Sequence, residues 1–307
     1  MSESILITGG GGYLGSMLAR MLLSYGHPIH LADIAFNSLS QDLATANSHV
    51  HLEKLDLSDP VATEALCTRL QPFWIFHFAA RIERARDASL LPSMLEVNMK
   101  GTLNLLTALK DVDYRMFSFS GTSEVYGVRN PLPFTEDMPP EPVSPYSLSK
   151  WMAEEVIRSW SAALGKPWLI FRIFNFYGSG MPQSTFIPQL LHALERNEPF
   201  RMTPGEQKRD YLHIDDLLWY IRESAFSGKF NKEVVNLCSG EAASMRAIAD
   251  QLSALFTNPP LISKALPYRE NEIWEIRGDN SKLRNAFPLH KPMALQDGLK
   301  LLAAEQA

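Results

Sequence analysis

Near its start the chain runs Ile5-Leu6-Ile7-Thr8 directly into Gly9-Gly10-Gly11-Gly12-Tyr13-Leu14-Gly15. Apolar β-formers, then glycines, then apolar residues on one helical face (Leu14, Leu18, Met21, Leu22 and Tyr25) predict a strand, a tight turn and a helix. Gly9, Gly12 and Gly15 spell G-x-x-G-x-x-G. Such a turn needs backbone without side chains: it brings N–H groups up to a pyrophosphate, aims the positive end of the helix at it, and packs helix close to strand. Asp33 closes the next predicted strand, 18 positions after Gly15, where a carboxylate meets the adenosine ribose hydroxyls. It would repel a 2′-phosphate, and residues 34–43 contain no arginine, so the pattern favours NAD over NADP. Asp56 and Leu57, after the third predicted strand, are placed to reach the adenine.

The rest of the first half repeats this alternation. Short apolar runs at 5–7, 29–32, 50–55, 74–78, 114–120 and 168–174 predict strands covered on both faces. Amphipathic stretches lie between them, among them one with Leu95, Met99, Leu103 and Leu106 on a shared face. The fold class predicted is α/β: a doubly wound parallel sheet with a smaller C-terminal α/β lobe. Beyond Asn175, glycines and prolines break the alternation. The division expected is residues 1–175 for the dinucleotide and 176–307 for the substrate, with Val234 to Leu237 returning to the main sheet.

With 307 residues, 46% of them hydrophobic, and a net charge of −5, the chain is too apolar for disorder and has no basic footprint for nucleic acid. No apolar stretch approaches the ~20 residues that span a bilayer, and no basic leader precedes the first strand. A cytoplasmic location is expected. Cys67 and Cys238 read as small buried hydrophobes. His49 and His51 share a strand face but have no third partner at metal spacing, so no metal site is predicted.

Tyr146-Ser147-Leu148-Ser149-Lys150 sets a phenol and an ammonium at i and i+4 on one helix face, behind Ser144-Pro145 as N-cap and first turn. A neighbouring ammonium favours phenolate and brings tyrosine from its usual ~10 toward the working range of a base. At this point the chain resembles the extended short-chain dehydrogenase/reductases, the NAD-dependent nucleotide-sugar epimerases and dehydratases, over nearly its whole length. The resemblance is carried by the glycine turn, His77-Phe78-Ala79-Ala80, Asn98-Met99-Lys100-Gly101-Thr102, Thr122-Ser123-Glu124-Val125-Tyr126-Gly127, residues 146–150, Arg172-Ile173-Phe174-Asn175-Phe176-Tyr177-Gly178 and Arg209-Asp210-Tyr211-Leu212-His213-Ile214-Asp215-Asp216.

The resemblance implies NAD as cofactor, held by Gly9, Gly12, Tyr13, Leu14, Gly15, Asp33, Asp56, Leu57, Phe78, Ala79, Ala80, Asn98 and Lys150. It implies that Tyr146 takes the proton of a sugar C4 hydroxyl while hydride leaves C4, that Lys150 lowers the phenol pKa, and that Thr122 bonds the same oxygen. Asn175, Arg209 and Arg269 would meet the substrate near its diphosphate, Asp279 nucleotide or sugar hydroxyls, and Ser123 and Arg81 the sugar. Arg81 opens a charged stretch, Arg81-Ile82-Glu83-Arg84-Ala85-Arg86-Asp87, which reads either as a solvated charge run or as a reader of an anionic sugar.

The 4-ketone leads to inversion at C4, to 4,6-elimination, or to loss of a C6 carboxylate. Glu124 is the candidate C5 base for the last two, whereas Ser123 stands where an elimination needs an acid. C4 epimerisation is the first expectation. The alternatives are a 4,6-dehydratase, a uronate decarboxylase, a 4-ketoreductase or a non-catalytic dinucleotide sensor, the last disfavoured by the intact Tyr146/Lys150 pair. The resemblance also implies a homodimer built as a four-helix bundle from helices near 92–110 and 145–164, with Trp151 and Val156 in the seam.

Overall fold

A computed structural model describes residues 3–83, 85–257, 259–264, 266–268 and 272–305. Seven strands form the main sheet: β1 (Ile5–Thr8), β2 (Ile29–Asp33), β3 (Val50–Lys54), β4 (Trp74–His77), β5 (Met116–Thr122), β6 (Trp168–Ile173) and β7 (Glu233–Leu237). Their order is β7-β6-β5-β4-β1-β2-β3. The β1–β2, β1–β4, β2–β3 and β4–β5 pairs run parallel, with Ile5 opposite both Ile29 and Trp74. The chain order reverses between β1 and β4, so connections leave to both sides and open a crevice at the carboxyl ends of those strands, the usual ligand position in an open α/β sheet. This is the doubly wound architecture read from the sequence, and β7 is the returning strand expected at 234–237.

The chain forms two compact units: 1–129 with 139–172 and 221–235, and 130–138 with 173–220 and 236–307. The first has a core of sheet residues such as Leu6, Ile75, Phe117 and Ile170, closed by Leu105, Leu106, Leu109 and Ile157 from helices. β1 and β5 are buried at every position, which is why their sequences read as continuous apolar or small-residue runs. The second unit centres on Lys208–His213, paired in parallel with Asn175–Tyr177 and Glu275–Ile276 and antiparallel with Ala242–Ser244. Its core gathers Tyr177, Leu190, Leu194, Ile248, Leu252 and Leu302.

One helix differs from its sequence reading. Between Leu91–Met94 and Gly101–Ala108 the backbone widens into a π turn over Leu95–Lys100. The inner stripe is Met94, Asn98, Thr102, Leu105, Leu106 and Leu109, whereas Leu95 and Met99 are half-buried and Leu103 is 39% exposed. Two inward positions, Asn98 and Thr102, are polar, and a count of apolar residues passes them over.

Candidate active site

The glycine turn is built so that side chains are excluded. Gly9 has φ +73°, and a Cβ there would stand 2.5 Å from Ala79 N; a Cβ on Gly11 would stand 1.8 Å from Ala35 O, and one on Gly15 2.3 Å from Gly9 O. Gly12 is the N-cap of the Tyr13–Leu22 helix and supplies no side-chain cap, so the first helical N–H groups keep their capacity for an anion. Tyr13 and Leu14 are half-buried in that first turn. Asp33 ends β2 with its carboxylate fixed against the turn, accepting from Gly11 N at 3.0 Å and Ile34 N at 2.7 Å. Close backbone, open helical donors and an acid beside them match the needs of a dinucleotide with free ribose hydroxyls, so these residues fit NAD.

Asp56 lies exposed after β3 and accepts from Ser58, while Leu57 is buried with its carbonyl accepting from Asn104 Nδ2. Phe78, Ala79 and Ala80 leave β4 half-buried. Asn98 is buried in the π turn with its amide fully engaged: Oδ1 accepts from Arg81 N at 2.7 Å, and Nδ2 donates to Arg81 O at 3.0 Å and Ser149 Oγ at 2.9 Å. Arg81 thus has a fixed backbone and an exposed side chain, and Arg84 lies outside the described residues.

β5 delivers Thr122 at its carboxyl end, where Thr122 Oγ1 accepts from Glu124 N at 3.3 Å and caps the 3₁₀ turn Ser123–Tyr126. Ser123 is buried and Glu124 exposed. Ser144 Oγ donates to Glu124 Oε2 at 3.4 Å. Ser144 is also the N-cap of Pro145–Leu164, closed by a capping box with Ser147, so the helix starts one residue before Tyr146 with its orphan donors satisfied. Tyr146 is half-buried. Lys150, one turn on, is 1% exposed, with Nζ 4.1 Å from the Phe119 ring centroid. Burial pushes its ammonium down to about 7, while the charge of Glu154 pulls upward.

Beneath this helix, Glu154 and Arg172 form a buried ion pair with an Nη2–Oε2 distance of 2.9 Å. Arg172 also lies 4.8 Å from the Tyr126 ring centroid. A Cβ on Gly121 would come 2.7 Å from Glu154 Oε1, so the β5 backbone rests on this pair just ahead of Thr122. Arg172 is legible as part of a motif. Glu154 escapes a sequence reading, although its i+4 spacing from Lys150 is an available signal.

In the second unit, Asn175 is half-buried at the start of its strand. Arg209 Nη1 donates to Lys208 O at 2.8 Å and Ile273 O at 2.7 Å, and Nη2 pairs with Glu272 Oε1 at 2.8 Å. Asp279 accepts from Ser281 N at 2.8 Å, a turn contact before the helix Ser281–Ala286. Arg269 lies outside the described residues. Asp210, legible only as a motif member without a role, is fully buried and accepts from Ser239 N and Oγ, Gly240 N and Gly278 N. Burial pushes its carboxyl upward and these donors oppose the shift. Cys67 and Cys238 are buried free thiols, and the Cys67 thiol is pushed up to about 12 by burial.

A doubly wound sheet with a glycine turn after β1, an acid after β2 and a tyrosine–lysine pair on the helix before β6 defines a dinucleotide-dependent enzyme of the short-chain dehydrogenase/reductase kind. More narrowly, the chain belongs to the NAD dependent epimerase/dehydratase family, whose sequence pattern matches residues 5–237, and NAD is its cofactor. It is 27% identical over 305 residues to UDP-glucose 4-epimerase of Rhizobium meliloti (strain 1021), covering 93% of this chain and 92% of that protein. It is 27% identical over 315 residues to UDP-N-acetyl-alpha-D-glucosaminuronate decarboxylase of Bacillus cytotoxicus, covering 98% and 96%. The crystal structure of the Thermus thermophilus UDP-glucose 4-epimerase in complex with NAD shares the fold at TM-score 0.86 and 22% identity, covering 99% of this chain and 98% of that one. No helix among the described residues is long and apolar enough to cross a membrane.

Proposed function

We propose that the chain acts on nucleotide sugars through a 4-keto intermediate, with inversion at C4 as the net reaction. The observation that carries the 4-keto chemistry is the buried Lys150 one helical turn from Tyr146 on the same helix; the choice of inversion rests on Glu124. The charged ammonium favours phenolate and makes Tyr146 a usable base. Tyr146 removes the C4 hydroxyl proton as the ketone forms and returns it when the alcohol is restored. Thr122 Oγ1 already accepts from Glu124 N, which leaves its own O–H to hold the C4 oxygen. When bound, NAD would supply the hydride acceptor at C4 and the donor to the opposite face of the ketone. Ser123 and Arg81 are assigned to the sugar, Asn175, Arg209 and Arg269 to the diphosphate, and Asp279 to nucleotide or sugar hydroxyls. A diphosphate reaching Arg209 has to compete with Glu272, which now neutralises that guanidinium.

A second reading rests on Glu124, whose exposed carboxylate is the candidate C5 base for elimination or decarboxylation. Relatives with those activities include the glucosaminuronate decarboxylase. Its contact with the Ser144 cap supports instead a role in holding the loop to the helix, which is why inversion is preferred. Two variants separate the readings. Tyr146→Phe should lower turnover by about 10²–10⁴-fold in either case. Glu124→Gln should leave an epimerase near wild-type rate; a slow variant that accumulates NADH and 4-keto sugar would establish Glu124 as the base. We assign the working enzyme to the cytoplasm, as a homodimer paired through the helices near 92–110 and 145–164; residues 1–175 hold the dinucleotide and the reacting groups, and 176–307 supply further contacts to the nucleotide sugar.

A further inference from the structure

His77, at the carboxyl end of β4, has no part in the proton transfers above, yet it is fully buried within hydrogen-bond reach of both the glycine turn's strand and the helix that carries Asn98 and Thr102. We propose that His77 is a positioning residue: it ties the strand that carries the glycine turn to the Asn98 backbone through Thr102, and the Asn98 side chain in turn ties to the backbone of Tyr146 through Ser149. The proposal rests on the assignment of Tyr146 and Lys150 to the C4 chemistry.

The direction of the chain follows from which groups are able only to accept. Asn98 O is an acceptor, so Thr102 Oγ1 donates to it at 2.6 Å. The Thr102 oxygen then accepts, at 2.8 Å, from His77 Nε2–H. A neutral imidazole carries one proton, so Nδ1 is bare and accepts from Thr8 Oγ1 at 2.6 Å. Beyond the helix, Asn98 Nδ2 donates to Ser149 Oγ at 2.9 Å, and Ser149 Oγ donates to Tyr146 O at 2.8 Å. Every hydroxyl proton is used once, and all the donors point from Thr8 toward Tyr146. Burial, with the nearby charge of Lys150, pushes the imidazole down to about 3 and keeps it neutral, and the Thr102 bond to Asn98 O sets the tautomer. Phe117 and Phe119 flank the ring at 5.8 and 5.5 Å between centroids, and Phe119 is the ring under Lys150 Nζ.

The two ends of this chain are the two halves of the reaction. Thr8 precedes Gly9, which touches the Phe78–Ala79 peptide so closely that no Cβ fits. Ser149 sits between Tyr146 and Lys150 on the catalytic helix. The relay therefore sets the distance between the strand that holds the dinucleotide and the phenol that must face the same sugar carbon, and errors of an ångström in such spacing are costly.

The test uses the NAD-loaded enzyme. In ¹⁵N NMR, His77 should hold the Nε2–H tautomer without titrating between about pH 5 and 8; an Nδ1–H tautomer, or titration in that range, would overturn the relay. Thr102→Val keeps the volume and removes the link. It should lower kcat by about 10- to 100-fold with KM for the nucleotide sugar within about twofold, and Thr102→Ser should restore most of the rate. Should Thr102→Val fail to fold, Ser149→Ala interrupts the same chain on the catalytic helix itself and carries the same expectation. A folded variant of either kind with wild-type kcat contradicts the proposal. No turnover of any nucleotide sugar by the wild type would defeat the functional reading instead, and the NMR result would still decide the relay.

Discussion

The charged side chains under the reacting groups are buried, and each depends on the next. Lys150 is held up against desolvation by Glu154, and Glu154 in turn is the counter-charge of Arg172. Glu154→Gln should leave the buried Arg172 guanidinium without its counter-charge, a change that typically costs about 3–5 kcal/mol. It should also lower the Lys150 ammonium further. Urea unfolding should show the loss, and a variant as stable as wild type would mean that water or Tyr126 compensates. These residues mark the limit of what is legible in the sequence. Thr122 enters only through the family resemblance, whereas Tyr146 and Lys150 announce themselves by type and spacing, because their chemistry is local. Glu154 and Asp210 do not, since their partners, Arg172 for one and Ser239 and Gly278 for the other, come from distant segments. Arg209 is legible as a cation, but nothing in the order of residues says that Glu272 reaches it first.

Among the elements, strands are easier to read than helix faces. A strand covered on both sides is a continuous apolar run, and β1, β4 and β5 begin and end within two residues of their sequence limits. The helix through Leu95–Lys100 misleads as to its face because two of its inward residues, Asn98 and Thr102, are polar, while the apolar Leu103 is turned out. The glycine turn is legible in full, and its steric reason is visible in the structure. Gly11→Ala would place a methyl 1.8 Å from Ala35 O, so the turn and the Asp33 contact must shift together. The variant should fold but lose NAD affinity by at least about tenfold in calorimetry, a small geometric error being enough to misalign several backbone donors at once. Unchanged affinity would show that the dinucleotide does not lie along this turn.

For the whole molecule, the family is settled while its members perform several reactions on one scaffold, so fold alone does not choose among them. The proposed dimer follows from the outward faces of two helices, where Leu103 is exposed and Trp151, Met152 and Val156 are half-buried. Sedimentation at micromolar concentration should give twice the mass of the 34.5 kDa chain, and a charged residue at Leu103 should weaken the pairing; a monomer at that concentration refutes it. The chemistry has a sharper test. UDP-, GDP-, dTDP- and CDP-hexoses and hexuronates carrying deuterium at C4 are incubated with the NAD-loaded enzyme, and the products are read by mass spectrometry and NMR. The expected outcome is one sugar nucleotide converted to its C4 epimer with unchanged mass, the deuterium still at C4, and no NADH consumed. Loss of water or carbon dioxide, or migration of the deuterium to C6, would rule out inversion at C4.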